Sequence, residues 1–306
     1  MNAKSSRVAP RMTWGSHAQA LLTHYSRYWR LMRMHRPIGT WLLLWPTLWA
    51  IWIASAGRPD PKVFLILVLG TIVVRSAGCV INDFVDRKID PHVARTADRP
   101  LATGEVAPVE ALILFAALMV IALGLVLNLN RLTLTFALAG AFLTIVYPFT
   151  KRFLSTPQFV LGVAFSWGVP MAFAATAGDV PRVGWLLFLA TVIWVVAYDT
   201  QYAMTDRPDD IKLGVRSTAI LFGDLDRAFV AGLQALFLAS LVLVGRSAGM
   251  GPWYYGGLAT ASVFCLYQAY LIKERDIVQS FRAFLNNAWL GGAIFAGILL
   301  DYTFRA

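Results

Sequence analysis

The chain has 306 residues, of which 58% are hydrophobic and 14% are charged, and its mean hydropathy is +0.61. Soluble domains carry charge on about a quarter of their residues, so this composition excludes a soluble protein and predicts a membrane protein. The net charge of +10 does not require a nucleic-acid partner, because the basic residues flank apolar segments and set membrane orientation.

Residues 1–37 are predicted to form a cytoplasmic tail followed by an interfacial helix. In LLTHYSRYWRLMRMHRP, Arg27, Arg30 and Arg33 recur every three residues among aromatic and aliphatic side chains, which suits a helix at the headgroup level. The alternative is a mitochondrial presequence, because the first 59 residues contain no Asp or Glu. We favour the interfacial helix.

Residues 38–301 are predicted to form a single all-α polytopic membrane domain, with about nine transmembrane helices around a central cavity. Each apolar stretch is long enough to cross a hydrocarbon core of about 30 Å. Cys79 and Cys265 lie inside predicted spans without a CxxC pattern, so we expect both to be core residues. The predicted spans are 39–56, 62–82, 109–129, 132–148, 158–177, 183–204, 228–245, 252–272 and 284–301.

Membrane orientation follows from the basic residues between the spans. With the N-terminus in the cytoplasm, 20 of the 27 Lys and Arg residues fall on the cytoplasmic side and six on the other. Arg75 is left inside a span, where arginine normally faces the protein interior and pairs with an acid. We expect an integral protein of a bacterial inner membrane with a cytoplasmic N-terminus, and the mitochondrial inner membrane is the alternative.

Two cytoplasmic connections are long, 83–108 between spans two and three and 205–227 between spans six and seven. Loops of this length are usually functional, so they are predicted to form a cytoplasmic cap. Both contain the pattern DRxxD in the same membrane orientation. This likeness predicts an internal parallel repeat with halves at about 38–150 and 157–301.

The acidic residues of these two connections have the spacing of a cation site. Asp86 and Asp90 are four residues apart, as are Asp206 and Asp210, which on a helix places each pair one turn apart on one face. Asn82 extends the first face by a turn. Like charges this close repel unless a cation lies between them. Oxygen ligands of this kind suit Mg²⁺ shared with phosphate oxygens, so the sequence predicts two metal clusters that hold a diphosphate and assist its departure.

Further polar residues accompany these clusters as candidate substrate contacts. Asp199 and Tyr202 precede Asp206 by seven and four residues and share its helical face, while Asp83 fits a supporting contact or a helix cap. The basic residues of this side are each, by themselves, more often solvated charges than ligand contacts. They are Arg87, Lys88, Arg95, Arg99, Lys151, Arg152, Lys212 and Arg216. Arg75 is a stronger candidate, because it lies inside a span seven residues before Asn82 and should point the same way as the acidic residues.

Two segments, NDFVDRKIDPHVARTADRPLATG and YDTQYAMTDRPDDIKLGVRSTAILFG, resemble the two aspartate-rich motifs of the UbiA superfamily of intramembrane prenyltransferases. Within that superfamily, MRMHRPIGTWLLLWPTLWA, RSAGCVINDFVDRK, YPFTKRF and DTQYAMTDR resemble the 4-hydroxybenzoate polyprenyltransferase branch of ubiquinone synthesis. The likeness covers about residues 28–300. His35 and Arg36 depart from it, because an acid followed by lysine is common there before PIG.

The resemblance implies a nine-helix bundle with a central cavity open to lipid, capped by the two cytoplasmic loops. It implies Mg²⁺-dependent transfer of a polyprenyl group from polyprenyl diphosphate to the carbon ortho to the hydroxyl of 4-hydroxybenzoate. By motif position, one Mg²⁺ would be served by Asn82, Asp86 and Asp90 and the other by Asp206 and Asp210.

Other roles follow from the resemblance alone. Arg152 would bind the diphosphate or the aromatic carboxylate, and both alternatives stay open. Asp83 and Asp199 match motif acids of less certain role. The implied catalytic residues are Asp86, Asp90, Asp206, Asp210 and Arg152, with Arg87, Lys151 and Lys212 as supporting phosphate contacts.

Three alternatives remain. Another aromatic acceptor, such as a naphthoate, homogentisate or haem, fits the same motifs. A cation or proton transporter is disfavoured because the acids cluster at one membrane face and none lies in mid-span. A phospholipid-type phosphotransferase is disfavoured because its DGxxAR signature is missing. The expected partners are polyprenyl diphosphate, 4-hydroxybenzoate and membrane lipid, with no nucleic acid.

Overall fold

The fold is known from a computed structural model that describes residues 25–150 and 153–304. Helices and turns account for these residues, and no strand occurs among them, which confirms the predicted all-α class. The predicted N-terminal tail up to residue 24 lies outside the described residues. The same holds for Lys151 and Arg152.

Eleven α-helices follow the short helical segment 25–31 in the described chain. Short 3₁₀ helices occupy Asp90–His92, Gly223–Leu225 and Ile272–Glu274. The α-helices are α1 Ile38–Ala54, α2 Pro61–Asp86, α3 Pro108–Val126, α4 Arg131–Thr150, α5 Pro157–Ser166, α6 Gly168–Ala177, α7 Arg182–Leu213, α8 Thr218–Phe222, α9 Asp226–Ser247, α10 Pro252–Leu271 and α11 Ile277–Phe304.

The lengths and compositions of these helices make the chain an integral membrane protein. Seven helical segments in the described residues are long and apolar enough to cross a membrane: α2, α3, α4, α5 with α6, α7, α8 with α9, and α11. Helix α1 is apolar but has only 17 residues, and the polar Thr260, Ser262 and Gln268 lower the hydropathy of α10. All nine predicted spans therefore contain a helix, but a count of nine membrane spans is not confirmed.

Proline and aspartate define where several helices begin. Helices α2, α3, α5 and α10 each start at a proline, whose fixed φ angle suits the first helical turn and whose missing N–H is not needed there. At α2 the Asp60 carboxylate also accepts hydrogen bonds from the backbone N–H groups of Lys62 and Val63, at 2.8 and 3.0 Å. These boundaries set the register of the long helix that ends in the first acidic motif.

The predicted span 158–177 is divided into two helices at Trp167. Pro170 lacks the N–H that would bond the carbonyl of Ser166, which weakens a continuous helix at this point. The indole of Trp167 donates to the Phe136 carbonyl at 2.7 Å. A Cβ on Gly168 would lie 2.3 Å from the Thr47 hydroxyl, so glycine allows α6 to approach α1 closely.

Helices α1, α7 and α11 contact one another and form the centre of the bundle. Around them, α2, α4 and α5 pack on one side and α9 and α10 on the other, while α3 packs mainly against α2. The core between α1, α7 and α9 is aromatic: Trp194 lies 5.3 Å from Trp49 and 5.6 Å from Phe237, centroid to centroid. Because these buried rings fill the centre at their level, the predicted central cavity stays a prediction.

Candidate functional site

The first acidic motif begins on α2 and continues beyond its end. Asn82, Asp83 and Asp86 lie on α2, which ends at Asp86, and Asp90 opens the 3₁₀ helix Asp90–His92 after a turn. The prediction that Asp90 continues the helical face of Asn82 and Asp86 is therefore wrong. A turn at 87–89 separates Asp90 from α2, and Pro91 lacks the N–H that a continued helix would bond to the carbonyl of Arg87.

The second acidic motif lies on one continuous helix. Helix α7 carries Asp199, Tyr202, Asp206 and Asp210 at helical spacing and ends at Leu213, so the prediction that these residues share one helical face is confirmed. Gly214 ends the helix with a φ of 68°, a conformation that glycine adopts without strain.

An ion pair joins the two motifs. Arg95, from the connection after the first motif, donates from Nε to Asp206 Oδ1 at 2.8 Å and from Nη2 to Oδ2 at 2.6 Å. Its guanidinium also lies 4.5 Å from the ring centroid of Tyr202. The two acidic helix ends therefore lie on one face of the bundle, which we call the acidic face.

A second ion-pair network holds the first motif together. Asp83 is 1% exposed and accepts from Arg33 Nη2 with both oxygens at 2.9 Å. Arg99 Nη1 lies 3.0 Å from Asp83 Oδ1 and donates to both oxygens of Asp90, at 3.0 and 2.9 Å. Burial raises the pKa of the Asp90 carboxyl, and Arg99 opposes that rise. Asp83 is thus a structural centre of the network, and its predicted contact with substrate stays a prediction.

The segment before α1 covers the α2–α3 connection. Arg30 donates to the Glu105 carboxylate at 2.9 Å and to the Asp98 carbonyl at 2.7 Å, and Arg27 donates to the Glu105 carbonyl at 2.8 Å. Leu31 is fully buried beside residues of α2, α3 and their connection. Residues 25–31 are helical as predicted, but their arginines bind this connection. A basic cavity opens beside it, lined by Arg30, Arg33, His35, Arg36, Arg95, Asp98, Arg99 and Pro100.

Three predicted substrate contacts have local partners in the structure. Arg87 donates to the Phe84 carbonyl at 2.6 Å and lies 4.3 Å from the Phe84 ring centroid. Lys212 is exposed and lies 3.4 Å from Asp209. Arg75 reaches α1, where its guanidinium occupies the space that a Cβ on Gly39 would need. Arg75 has no carboxylate partner among the described residues, contrary to the expectation that it pairs with an acid.

The donor atoms of the two motifs fit a hard divalent cation. The amide and carboxylate oxygens of Asn82, Asp86, Asp90, Asp206 and Asp210 are ligands that Mg²⁺ prefers. Within residues 25–150 and 153–304, however, no three His, Cys, Asp or Glu side chains converge into a group that could hold a metal. Asp90 and Asp206 are paired with arginines instead. A metal at these carboxylates would therefore compete with the arginine charges already beside them.

A buried amide network anchors α7 below the second motif, and we did not predict it. Asn287 accepts from Trp194 Nε1 and donates to Gln201 Oε1, both at 2.9 Å. Gln268 Oε1 accepts from Gln201 at 2.9 Å and from Gln234 at 2.7 Å. These bonds connect α7 to α9, α10 and α11. The signal was present, because amide side chains inside apolar spans are costly unless they find partners.

Together these features define a polytopic α-helical membrane protein with two acid-rich motifs joined across one face. The chain belongs to the UbiA prenyltransferase family, whose family model matches residues 43–291. The predicted resemblance is confirmed.

Relatives with assigned names support the same branch of the family. The chain is 58% identical over 275 residues to the 4-hydroxybenzoate octaprenyltransferase of Nitrosococcus oceani, covering 90% of this chain and 96% of that protein. It is 55% identical over 275 residues to the enzyme of the same name from Methylococcus capsulatus, covering 90% and 94%.

Solved structures show the same fold. A UbiA homolog from Aeropyrum pernix K1 superposes with a TM-score of 0.76 at 24% identity, covering 85% of this chain and 97% of that one. A UbiA homolog from Archaeoglobus fulgidus bound to GPP and Mg²⁺ gives a TM-score of 0.69 at 18% identity, covering 89% and 99%. At these identities the likeness concerns the fold alone.

Proposed function

We propose that the chain transfers a polyprenyl group from a polyprenyl diphosphate to 4-hydroxybenzoate, at the ring carbon ortho to the hydroxyl. The relatives that share more than half of its residues over 90% of its length carry this activity in their names. The observation that carries the proposal is the Arg95–Asp206 ion pair, because it brings the two acidic motifs to one face as neighbours.

The proposed cofactor is Mg²⁺, held by Asn82, Asp86 and Asp90 of the first motif and by Asp206 and Asp210 of the second. When bound, it would neutralise the charge that develops on the departing diphosphate. The hard oxygen donors of both motifs support this assignment, as does the Mg²⁺ bound to the UbiA homolog from Archaeoglobus fulgidus.

The side chains around the second motif fit the chemistry of an allylic donor. The Tyr202 ring lies 4.5 Å from the Arg95 guanidinium and 4.7 Å from the Phe284 ring, which lies 6.0 Å from the Phe281 ring, centroid to centroid for the rings. Aromatic faces stabilise a nearby cation, and the apolar helices exclude water from it. The electron-rich phenol ring would then attack the allylic carbon. Its ring proton would pass to an aspartate or to the released diphosphate.

The remaining assignments rest on the resemblance of the motifs. Arg152 would bind the diphosphate or the aromatic carboxylate, with supporting phosphate contacts from Arg87, Lys151 and Lys212. The acidic face would be cytoplasmic in a bacterial inner membrane. The bacterial relatives and the distribution of basic residues support this orientation.

The proposal is tested by incubating membranes that contain the chain with Mg²⁺, a polyprenyl diphosphate and labelled 4-hydroxybenzoate. We expect prenylated product from the wild-type chain and from Asp179→Ala, whose exposed carboxylate lies between α6 and α7 away from both motifs. We expect none from Asp86→Ala or with EDTA. Equal product from Asp86→Ala would refute the metal role, and prenylation of a naphthoate in place of 4-hydroxybenzoate would identify the alternative acceptor.

A further inference from the structure

Arg95 forms an ion pair with Asp206, a carboxylate that the proposed function assigns to a metal. Both oxygens of Asp206 accept from its guanidinium, at 2.8 and 2.6 Å, and the Asp206 side chain is only 15% exposed. The guanidinium takes up one acceptor site on each Asp206 oxygen, and its positive charge opposes the approach of a divalent cation to the same carboxylate. Arg95 and a metal at Asp206 therefore compete for one carboxylate, and moving Arg95 away favours the metal.

The chain around Arg95 is fixed to the first motif. Thr96 is 3% exposed and its hydroxyl donates to the Asp90 carbonyl at 2.9 Å, while Arg99 bonds the Asp90 carboxylate. The chain that follows Arg95 is thus anchored to Asp90, and the Arg95 side chain is the part that is able to change partner. A displaced guanidinium would remain within a side chain's length of both acidic motifs.

We propose that Arg95 has two binding positions: the Asp206 carboxylate when metal and prenyl donor are absent, and the donor's diphosphate when they are bound. The planar guanidinium has five N–H donors and makes paired hydrogen bonds to carboxylate and phosphate alike. In the first position it prevents an uncompensated charge at Asp206, which would be costly in this part-buried site. In the second it adds positive charge to the leaving group. This inference rests on the proposed function.

The test measures two affinities of the full chain in detergent, because the proposal predicts that Arg95→Gln changes them in opposite directions. Mn²⁺, which takes the same oxygen ligands as Mg²⁺, is titrated without donor and followed by electron paramagnetic resonance. A prenyl thiodiphosphate, a slowly reacting donor analogue, is titrated at saturating Mg²⁺. We expect Arg95→Gln to bind Mn²⁺ roughly tenfold more tightly and the analogue roughly tenfold more weakly, the size of one strong charge-assisted contact.

Two further variants make the result specific. Arg282→Gln removes an exposed arginine near the start of α11 that has no ion pair in the described part of the chain, and both affinities should stay at the wild-type values. Arg95→Lys keeps the charge but not the paired geometry, so both affinities should fall between those of the wild type and Arg95→Gln. It also provides the measurement if Arg95→Gln does not fold.

Opposite changes in the two affinities would support the proposal, since a merely structural role would weaken both. Weakening of both, or no change in either, would overturn it. A wild-type chain that binds Mn²⁺ but no prenyl thiodiphosphate would overturn this inference together with the proposed function. Opposite changes in a chain that fails to prenylate 4-hydroxybenzoate would overturn the proposed acceptor and leave the role of Arg95 intact.

Discussion

Replacing Arg99 by glutamine removes the ion-pair partner of a nearly buried carboxylate. Arg99 makes three short contacts, one to Asp83 and two to Asp90. Asp83 keeps both hydrogen bonds from Arg33 in the variant. The Asp90 side chain, 6% exposed, loses its only ion-pair partner among the described residues. Breaking a buried pair by removing one partner costs about 3 kcal/mol or more.

The pH dependence of this loss identifies its cause. Burial already raises the pKa of Asp90 above its ordinary 3.8, and removal of Arg99 raises the pKa further. When the pKa of a carboxyl is higher in the folded than in the unfolded protein, the free energy of unfolding decreases as the pH rises from the unfolded-state pKa to the folded-state pKa. That loss is larger in the variant, so the stability difference between variant and wild type should shrink when the pH is lowered from about 7.5 to about 5.

The assay is thermal unfolding of both proteins in the same detergent, followed by circular dichroism at several pH values. A deficit of about 3 kcal/mol should lower Tm by roughly 6 °C or more at neutral pH. Asp90→Asn in the Arg99→Gln background should restore most of the lost stability, because the Asp90 charge is then no longer left unpaired. A deficit that stays constant or grows on acidification would refute the reasoning.

Three further predictions concern packing, the amide network and the basic cavity. Gly257→Ala should lower Tm, because its Cβ would lie 2.9 Å from the backbone of α11. In the control Gly256→Ala, the added Cβ meets nothing within 4 Å, so Tm should stay unchanged or rise. Equal effects of the two substitutions on Tm would contradict this packing. Asn287→Leu should lower the free energy of unfolding by about 2 kcal/mol, because buried partners such as Trp194 Nε1 lose their hydrogen bonds. An unchanged Tm would count against the network. Burial and the neighbouring arginines lower the pKa of His35. An NMR titration of the histidines, with the His35 signal assigned by its loss in His35→Gln, should therefore give His35 a pKa below 6.5. A pKa at or above 6.5 would contradict this environment.

The sequence predicted those features that depend on local spacing. The apolar segments became helices, and the residues of the second motif share one face because α7 continues unbroken to Leu213. The same spacing rule was wrong for Asp90, because α2 ends at Asp86 and a turn precedes Asp90. Trp167 likewise divides a predicted span. Prolines alone do not identify these breaks, because α7 continues through Pro208 and α1 through Pro46.

Contacts between distant segments could not be read from spacing. Arg33 and Asp83 are 50 residues apart, and Arg95 and Asp206 are 111 apart, so neither pair leaves a periodic signal. Arg33 was interpreted as a headgroup contact because a basic residue before a membrane span usually is one. The internal repeat with halves 38–150 and 157–301 stays a prediction.

The account's central claim is that the two acidic motifs together hold one diphosphate through divalent cations. The most direct measurement is an experimental structure of the chain with Mg²⁺ and a prenyl thiodiphosphate. We predict cations about 2.1 Å from oxygens of Asp86 on one side and of Asp206 on the other, both in contact with the same diphosphate. Cations confined to one motif, or a diphosphate bound away from both, would contradict the claim.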